Sequence, residues 1–387
     1  MSNLESIEDY KAHKQKKHEE MLAKQNVPYS IKVLMAKDRI RQWINECGQR
    51  HCNAHVSVGG LDSITLLSLI RSMGYGPDEV PAVSASQLED ISIQKVHKEL
   101  GCIIVQPLKS KVRVLQEEGF PVLSKKISNK IATLANPTEK NKTVRHAIIT
   151  GECGEQGHFA TNSKMRLPMT YLKLFGGLDE EGRALGYSAP TNFKVSNTCC
   201  YYLKEAPCDN WAKEHNSVPF LGLMACEGGV RQDALEENGC NYWGKTTARS
   251  CPFSFFYHSD LVHLAVDLGV HIPEIYGEVK TRPNKDLPDG IEWYTTGEQR
   301  TGCSMCGFGI QMETRPHRFD RLYERSKTEW DFWMNKCCKD DDGTPYGWGR
   351  VLDYIGIPWR DPAHWYLNDK GQQLDGQMTI FDLLDDE

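Results

Sequence analysis

Four cysteines form the pattern best suited to holding a metal. Cys199 and Cys200 are adjacent, and Cys303 and Cys306 form a C-x-x-C between Thr301-Gly302 and Gly307. A C-x-x-C in a glycine turn presents two thiolates to one centre, whereas neighbouring cysteines point in different directions. Structural zinc sites usually pair cysteines about two to four residues apart. Four thiolates are the normal complement of a [4Fe–4S] cluster. The four are therefore expected to hold a [4Fe–4S] cluster, with zinc as the alternative. Of the 14 cysteines, Cys47, Cys52, Cys102, Cys153 and Cys240 read as small buried apolar residues, and Cys251 as a structural residue with the role of reserve ligand as its alternative. Cys337-Cys338 reads as a packed or exposed pair without a motif.

A second constellation is Val56-Ser57-Val58-Gly59-Gly60-Leu61-Asp62-Ser63. Two glycines after an apolar run let the backbone turn tightly and approach a ligand. A helix opening near Asp62 or Ser63 would aim its unbonded N–H groups and its positive end at a phosphate. Ser57 and Ser63 could add hydroxyl donors. The alternative is a strand–helix turn with Asp62 or Ser63 as an ordinary N-cap.

These residues need elements to position them. Val33, Ala36, Ile40, Trp43 and Ile44 recur at helical spacing, so residues 31–46 are predicted to be an amphipathic helix. Residues 54–58 read as a strand, and 62–73 as a helix with Leu66, Leu67, Ile70 and Met73 on one side. Short apolar runs at 80–83, 102–105, 147–149 and 220–224 read as further buried strands. Such runs, separated by crossovers, predict a doubly wound α/β fold with a mostly parallel sheet. Residues 5–26 are charged and read as an exposed or frayed helical extension. Residues 176–190 and 280–290 read as loops. The chain thus divides into a helical extension (1–50), a nucleotide-binding α/β domain (51–240), a region completing the cysteine set (241–365) and a mobile acidic tail (366–387).

The bulk composition is that of a globular chain: 387 residues, 40% hydrophobic, 25% charged, net charge −6 and a pI of about 6.1. That balance argues against a broadly basic nucleic-acid surface. No apolar run approaches membrane-spanning length, and the first 20 residues lack the apolar core of a secretory signal. A cytoplasmic protein without membrane contact is expected.

The glycine segment resembles the Ser-Gly-Gly-x-Asp-Ser signature of PP-loop ATP pyrophosphatases and phosphoadenosine phosphosulfate (PAPS) reductases. Val58 stands where that signature has its first serine, and Leu61 where many members carry a lysine. The cysteine set is similar to the Cys-Cys…Cys-x-x-Cys of sulfonucleotide reductases. Residues 119–125 (Gly-Phe-Pro-Val-Leu-Ser-Lys) resemble a segment of PAPS reductase-like proteins of bacteria and phages. Gly222 to Glu227, followed by Arg231, resembles the family's Gly-x-x-x-x-Glu-x-x-x-Arg stretch. Asn238 to Asn241, Pro252 to Phe256 and Cys306 to Gly309, with Arg300, Glu313 and Arg318 nearby, follow in the same order, so the likeness runs over about residues 52–358.

The resemblance implies a PP-loop (adenine nucleotide alpha hydrolase-like) fold binding ATP or a related adenine nucleotide. Ser57, Gly59, Gly60, Asp62, Ser63, Glu89, Gly222 and Arg231 would line the site; Arg231 could equally be the i,i+4 partner of Glu227. It further implies sulfur transfer or sulfonucleotide-type chemistry, with a sulfur or electron donor protein as partner. No cysteine follows Cys338, so reduction of PAPS itself is not expected. The alternative is a non-catalytic nucleotide-binding module or zinc-stabilised protein acting in phage or bacterial DNA modification. Gln377-Met378-Thr379-Ile380-Phe381 resembles the short motif that docks on bacterial sliding clamps, against the plain alternative of a frayed chain end.

Overall fold

The structure, a computed structural model, describes residues 7–85, 87, 89–152, 165–176, 191–299 and 301–365. Cys153, Arg300, residues 177–190 of the expected glycine-rich loop, and the 366–387 tail with its clamp-like motif lie outside the described residues. The chain forms two compact units that interleave in sequence. One comprises the described residues of 1–107 and 204–304, the other those of 108–203 and 305–365. This division cuts across the linear segments 51–240 and 241–365.

The first unit is built on a six-stranded sheet. Helices α1 (Ile7–Gln25) and α2 (Tyr29–Gln49) precede strand β1 (Asn53–Ser57). Helix α3 (Leu61–Ser72), strand β2 (Ala82–Ser84), helix α4 (Ile91–Glu99) and strand β3 (Ile103–Ile104) follow. β1 lies between β2 and the strand Ser217–Phe220 and is parallel to both, with Val56 opposite Ala82 on one side and Phe220 on the other. β3 extends the sheet beyond β2, and Ala248–Ser250 extends it beyond Ser217–Phe220; both pairings are parallel. Only Asn241–Trp243 runs antiparallel, at the far edge. The expected α/β class with a mostly parallel sheet is therefore present.

Apolar spacing explains most of this unit. Ala36, Ile40, Trp43 and Cys47 recur on one face of α2 and are all buried. α3 differs from the one-sided helix expected: Leu61, Ile64, Leu66, Leu67, Leu69 and Ile70 are all buried, so it is enclosed on most of its circumference. Each such side chain contributes roughly 1.5–3 kcal/mol by leaving water. α1 is helical and mostly exposed, as one of the two expectations had it, and it is anchored rather than frayed. Met21 and Gln25 are buried, and Lys14, His18 and His13 pair with Asp233, Glu236 and Glu237 of the helix Gly229–Asn238.

The second unit is mainly helical. Its core gathers Phe120, Val122, Phe175, Phe319 and Trp348 among other apolar residues. The 119–125 segment is its hub. Gly119 has φ +123, and a Cβ there would lie 2.6 Å from the Lys194 backbone. Val122–Leu123 pairs with Gly307–Phe308, and Ser124 caps the helix Lys125–Ala135. The run 147–149, expected as a strand, belongs to the helix Lys142–Thr150, which ends on left-handed Gly151. The run 220–224 is a strand only up to Phe220; the remainder is a loop. No helix among the described residues is long and apolar enough to cross a membrane.

Candidate functional site: a glycine loop at the sheet's switch point

From β1 the chain proceeds through β2 to β3 on one side, then returns to Ser217–Phe220 on the other. Strand order therefore reverses between β1 and Ser217–Phe220. In open parallel sheets, a crevice for ligands forms at the carboxyl ends of the two strands flanking such a reversal. The loop 58–60 leaves one of these strand ends and the loop 221–224 leaves the other.

The loop 221–224 packs closely against the first turn of α3, which follows the loop 58–60. A Cβ on Gly222 would lie 2.9 Å from the Asp62 carbonyl carbon and the Ser63 nitrogen. Only glycine permits this approach. Gly60 is similarly constrained: a Cβ there would lie 2.5 Å from the Tyr276 hydroxyl and 2.7 Å from Thr301 Oγ1.

The loop is held by its own hydrogen bonds. Gly59 N–H donates to Ser63 Oγ at 2.7 Å, and the Ser63 hydroxyl donates to the Gly60 carbonyl at 2.9 Å. Ser63 thus shapes the loop, a role beyond that of a spare donor. Leu61 N–H, at the start of α3, donates to the Tyr276 hydroxyl at 2.8 Å, and that hydroxyl bonds Thr301 Oγ1 at 2.7 Å. Leu61 itself is packed with Ile93, Ala265 and Tyr276. An apolar residue at this position is thereby accounted for.

On the other flank, His97 Nε2 lies 2.7 Å from the Gly59 carbonyl. A carbonyl only accepts, so Nε2 carries the proton and Nδ1 accepts from the Ser84 hydroxyl at 3.1 Å. Burial lowers the His97 pKa and favours this neutral form. Glu89 and Lys204 form an ion pair close enough to His97 for both to act on it electrostatically. Glu89 is 6% exposed, and its Oε2 is buried with no hydrogen-bond partner among the described residues. A buried carboxylate oxygen left unbonded is costly, and a ligand hydroxyl or amine would satisfy it.

The remaining expected residues are placed as follows. Ser57 ends β1, with its hydroxyl 3.4 Å from His55 Nε2, and His55 Nδ1 lies 2.8 Å from Ser217 Oγ. Asp62 is half-buried in the first turn of α3. Arg231 is half-exposed and pairs with Glu227 four residues earlier, the plainer of its two expected roles. Ser84, His97, Lys204 and Tyr276 carry no signal in the sequence that singles them out, and Thr301 stands there only as a flank of the C-x-x-C.

The cysteines divide between the units: Cys303 belongs to the first, and Cys199, Cys200 and Cys306 to the second. Cys199 is buried and the other three are half-buried. Cys199-Cys200 leads directly into a π-helical turn, Tyr201–Glu205. Arg318 donates to the Cys306 carbonyl at 3.0 Å. Among the described residues, no three His, Cys, Asp or Glu side chains converge in a metal-holding group.

Set against protein-family models and against curated proteins, the chain matches none.

Proposed function

We propose that the chain is a PP-loop-type protein that binds ATP or a related adenine nucleotide, its phosphates seated at 59–63. The observation carrying this reading is the close packing of Gly222, in the loop after one switch-point strand, against the first turn of α3, which follows the glycine loop after the other. A helix start at such a crevice suits an anion. Lys204 supports the reading as a cation paired with Glu89 and within electrostatic reach of His97, the residue bonded to the Gly59 carbonyl. Glu89, with one oxygen unbonded, fits a ribose hydroxyl or the adenine amine.

The reaction class we infer is nucleotide-dependent activation or sulfur transfer, by resemblance to the PAPS reductase group. A [4Fe–4S] cluster or zinc on Cys199, Cys200, Cys303 and Cys306 belongs to this proposal on the strength of spacing alone. Titration of the full chain with ATP and magnesium, for wild type, Asp62→Asn and Ser63→Ala, tests the site. Binding that is unchanged in both variants would remove it.

A second reading, a binding module without turnover, is favoured by one feature. Val58 and Leu61 stand where the PP-loop signature has a serine and many members a lysine, so a hydroxyl and a cation are missing from the loop. Tight binding of ATP without any product from ATP, adenylyl sulfate or PAPS would select it.

A further inference from the structure

We propose that His97 is a positioning residue: it pins the peptide between Gly59 and Gly60 so that the Gly60 N–H is the amide the glycine loop offers to a phosphate. The inference rests on the nucleotide reading above and names which donor of that site meets the ligand and what aims it.

The peptide units on either side of this one are tied down within the protein. Before it, Gly59 N–H donates to Ser63 Oγ at 2.7 Å. After it, Leu61 N–H donates to the Tyr276 hydroxyl at 2.8 Å, and the Gly60 carbonyl accepts from the Ser63 hydroxyl at 2.9 Å and from the backbone N–H groups of Ser63 and Ile64 at 3.2 Å. The 59–60 unit has one tie among the described residues, the 2.7 Å bond from His97 Nε2–H to the Gly59 carbonyl. Its other end, the Gly60 N–H, has no partner among the described residues. In a trans peptide the carbonyl of one residue and the N–H of the next point in opposite directions. Holding the Gly59 oxygen on His97 therefore turns the Gly60 N–H to the opposite side.

Glycines flank this peptide on both sides, so backbone sterics alone leave either orientation open. Reversed, it would present the Gly59 oxygen, an acceptor that repels phosphate, in place of the donor. His97 opposes the reversal because it is itself fixed. It is fully buried on α4, and its Nδ1 accepts at 3.1 Å from the hydroxyl of Ser84, the buried last residue of β2. The orienting chain thus runs from the sheet through the imidazole to the glycine loop. A second unpartnered group points to the same place. The buried Oε2 of Glu89 has no partner among the described residues, and its carboxylate acts electrostatically on both His97 and Tyr276. An unbonded donor and an unbonded acceptor around one loop match a ligand that carries a phosphate oxygen together with a hydroxyl or amine.

The test is amide NMR and isothermal titration of the full chain with ATP and magnesium. Labelling with glycine enriched at both nitrogen and carbonyl carbon, and selecting amides bonded to an enriched carbonyl, leaves only glycines that follow a glycine: Gly60, Gly177 and Gly229. Gly177→Ala and Gly229→Ala identify the other two. In wild type, ATP is expected to move the Gly60 proton resonance downfield, as a charged acceptor does. His97→Gln keeps a donor near the Nε2 position; it should keep this shift and bind ATP within about twofold of wild type. His97→Asn reaches towards Ser84 but stops short of Gly59; it should lose the shift and bind about tenfold more weakly, the factor for one hydrogen bond to a charged group. A role in packing alone would weaken both variants alike, so equal affinities in the two overturn this inference. A Gly60 resonance that stays in place while wild type binds ATP also overturns it and leaves the nucleotide reading standing; that outcome needs neither variant to fold. Absence of ATP binding by wild type removes the nucleotide reading, and this inference with it.

Discussion

Replacing Gly222 by alanine tests the contact on which the site depends. The added Cβ would lie 2.9 Å from the Asp62 carbonyl carbon, 2.9 Å from Ser63 N and 3.0 Å from the Asp62 carbonyl oxygen. All three are backbone atoms of one helical turn, so no rotamer change can make room. Restoring ordinary contact requires the 221–224 loop or the start of α3 to shift by roughly 0.5–1 Å. Overpacking of this kind costs about 1–3 kcal/mol. The shift also misaligns the donors facing a bound phosphate. Losing one hydrogen bond to a charged group is worth about 1.5–3 kcal/mol, so ATP should bind at least about tenfold more weakly. Urea unfolding and isothermal titration with ATP read the two effects separately. Gly48→Ala is the control: it lies within α2 with nothing inside 4 Å of the new Cβ. It should leave ATP binding unchanged and stabilise by about 0.5–1 kcal/mol. A Gly222→Ala protein with wild-type stability and wild-type ATP affinity would refute the argument.

Three further outcomes follow from the same physical reasoning. Burial, aided by nearby His215, holds His55 down at about 4 against an ordinary 6.5. Between those values the unfolded chain binds the extra proton, so this contribution is complete above about pH 6.5 and is lost as pH falls towards 4. It amounts to about 3 kcal/mol, and urea unfolding of His55→Asn should show a flatter decline from pH 7 to 5 than wild type. The Lys32 ammonium is fully buried and reaches Asp260 at 2.7 Å. Asp260→Asn leaves it uncompensated and should cost about 3–5 kcal/mol in urea unfolding. Anaerobically purified chain is expected to carry about four iron and four sulfide, with cluster absorbance that Cys303→Ser abolishes. Stoichiometric zinc would select the alternative, and a metal-free chain would remove both.

How much of this was legible in the sequence varies with the range of the interactions. The β1–loop–α3 unit was readable because it is local: an apolar run, two glycines, then an apolar helix. α2 was readable because Ala36, Ile40 and Trp43 repeat every turn. Residues 147–149 were misread because three consecutive apolar residues look alike in a strand and in a buried helical turn. The deciding signal, Gly151 in the left-handed cap position, lies just beyond them. The anchoring of α1 depends on partners more than 200 residues away, as for His18 and Glu236. Tyr276 was invisible as a site residue for the same reason, since its bond to Leu61 spans 215 positions. Nothing in composition marks the interleaving of the two units, because a segment inserted between elements need not differ in hydrophobicity from its host.

Photo-crosslinking of the full chain with 8-azidoadenosine triphosphate, followed by peptide mapping, tests the nucleotide site most directly. The account predicts label, competed away by ATP, on peptides at the carboxyl ends of β1, β2 and Ser217–Phe220, including the one bearing Glu89. Label confined to the helical second unit, or label that excess ATP does not displace, would contradict it.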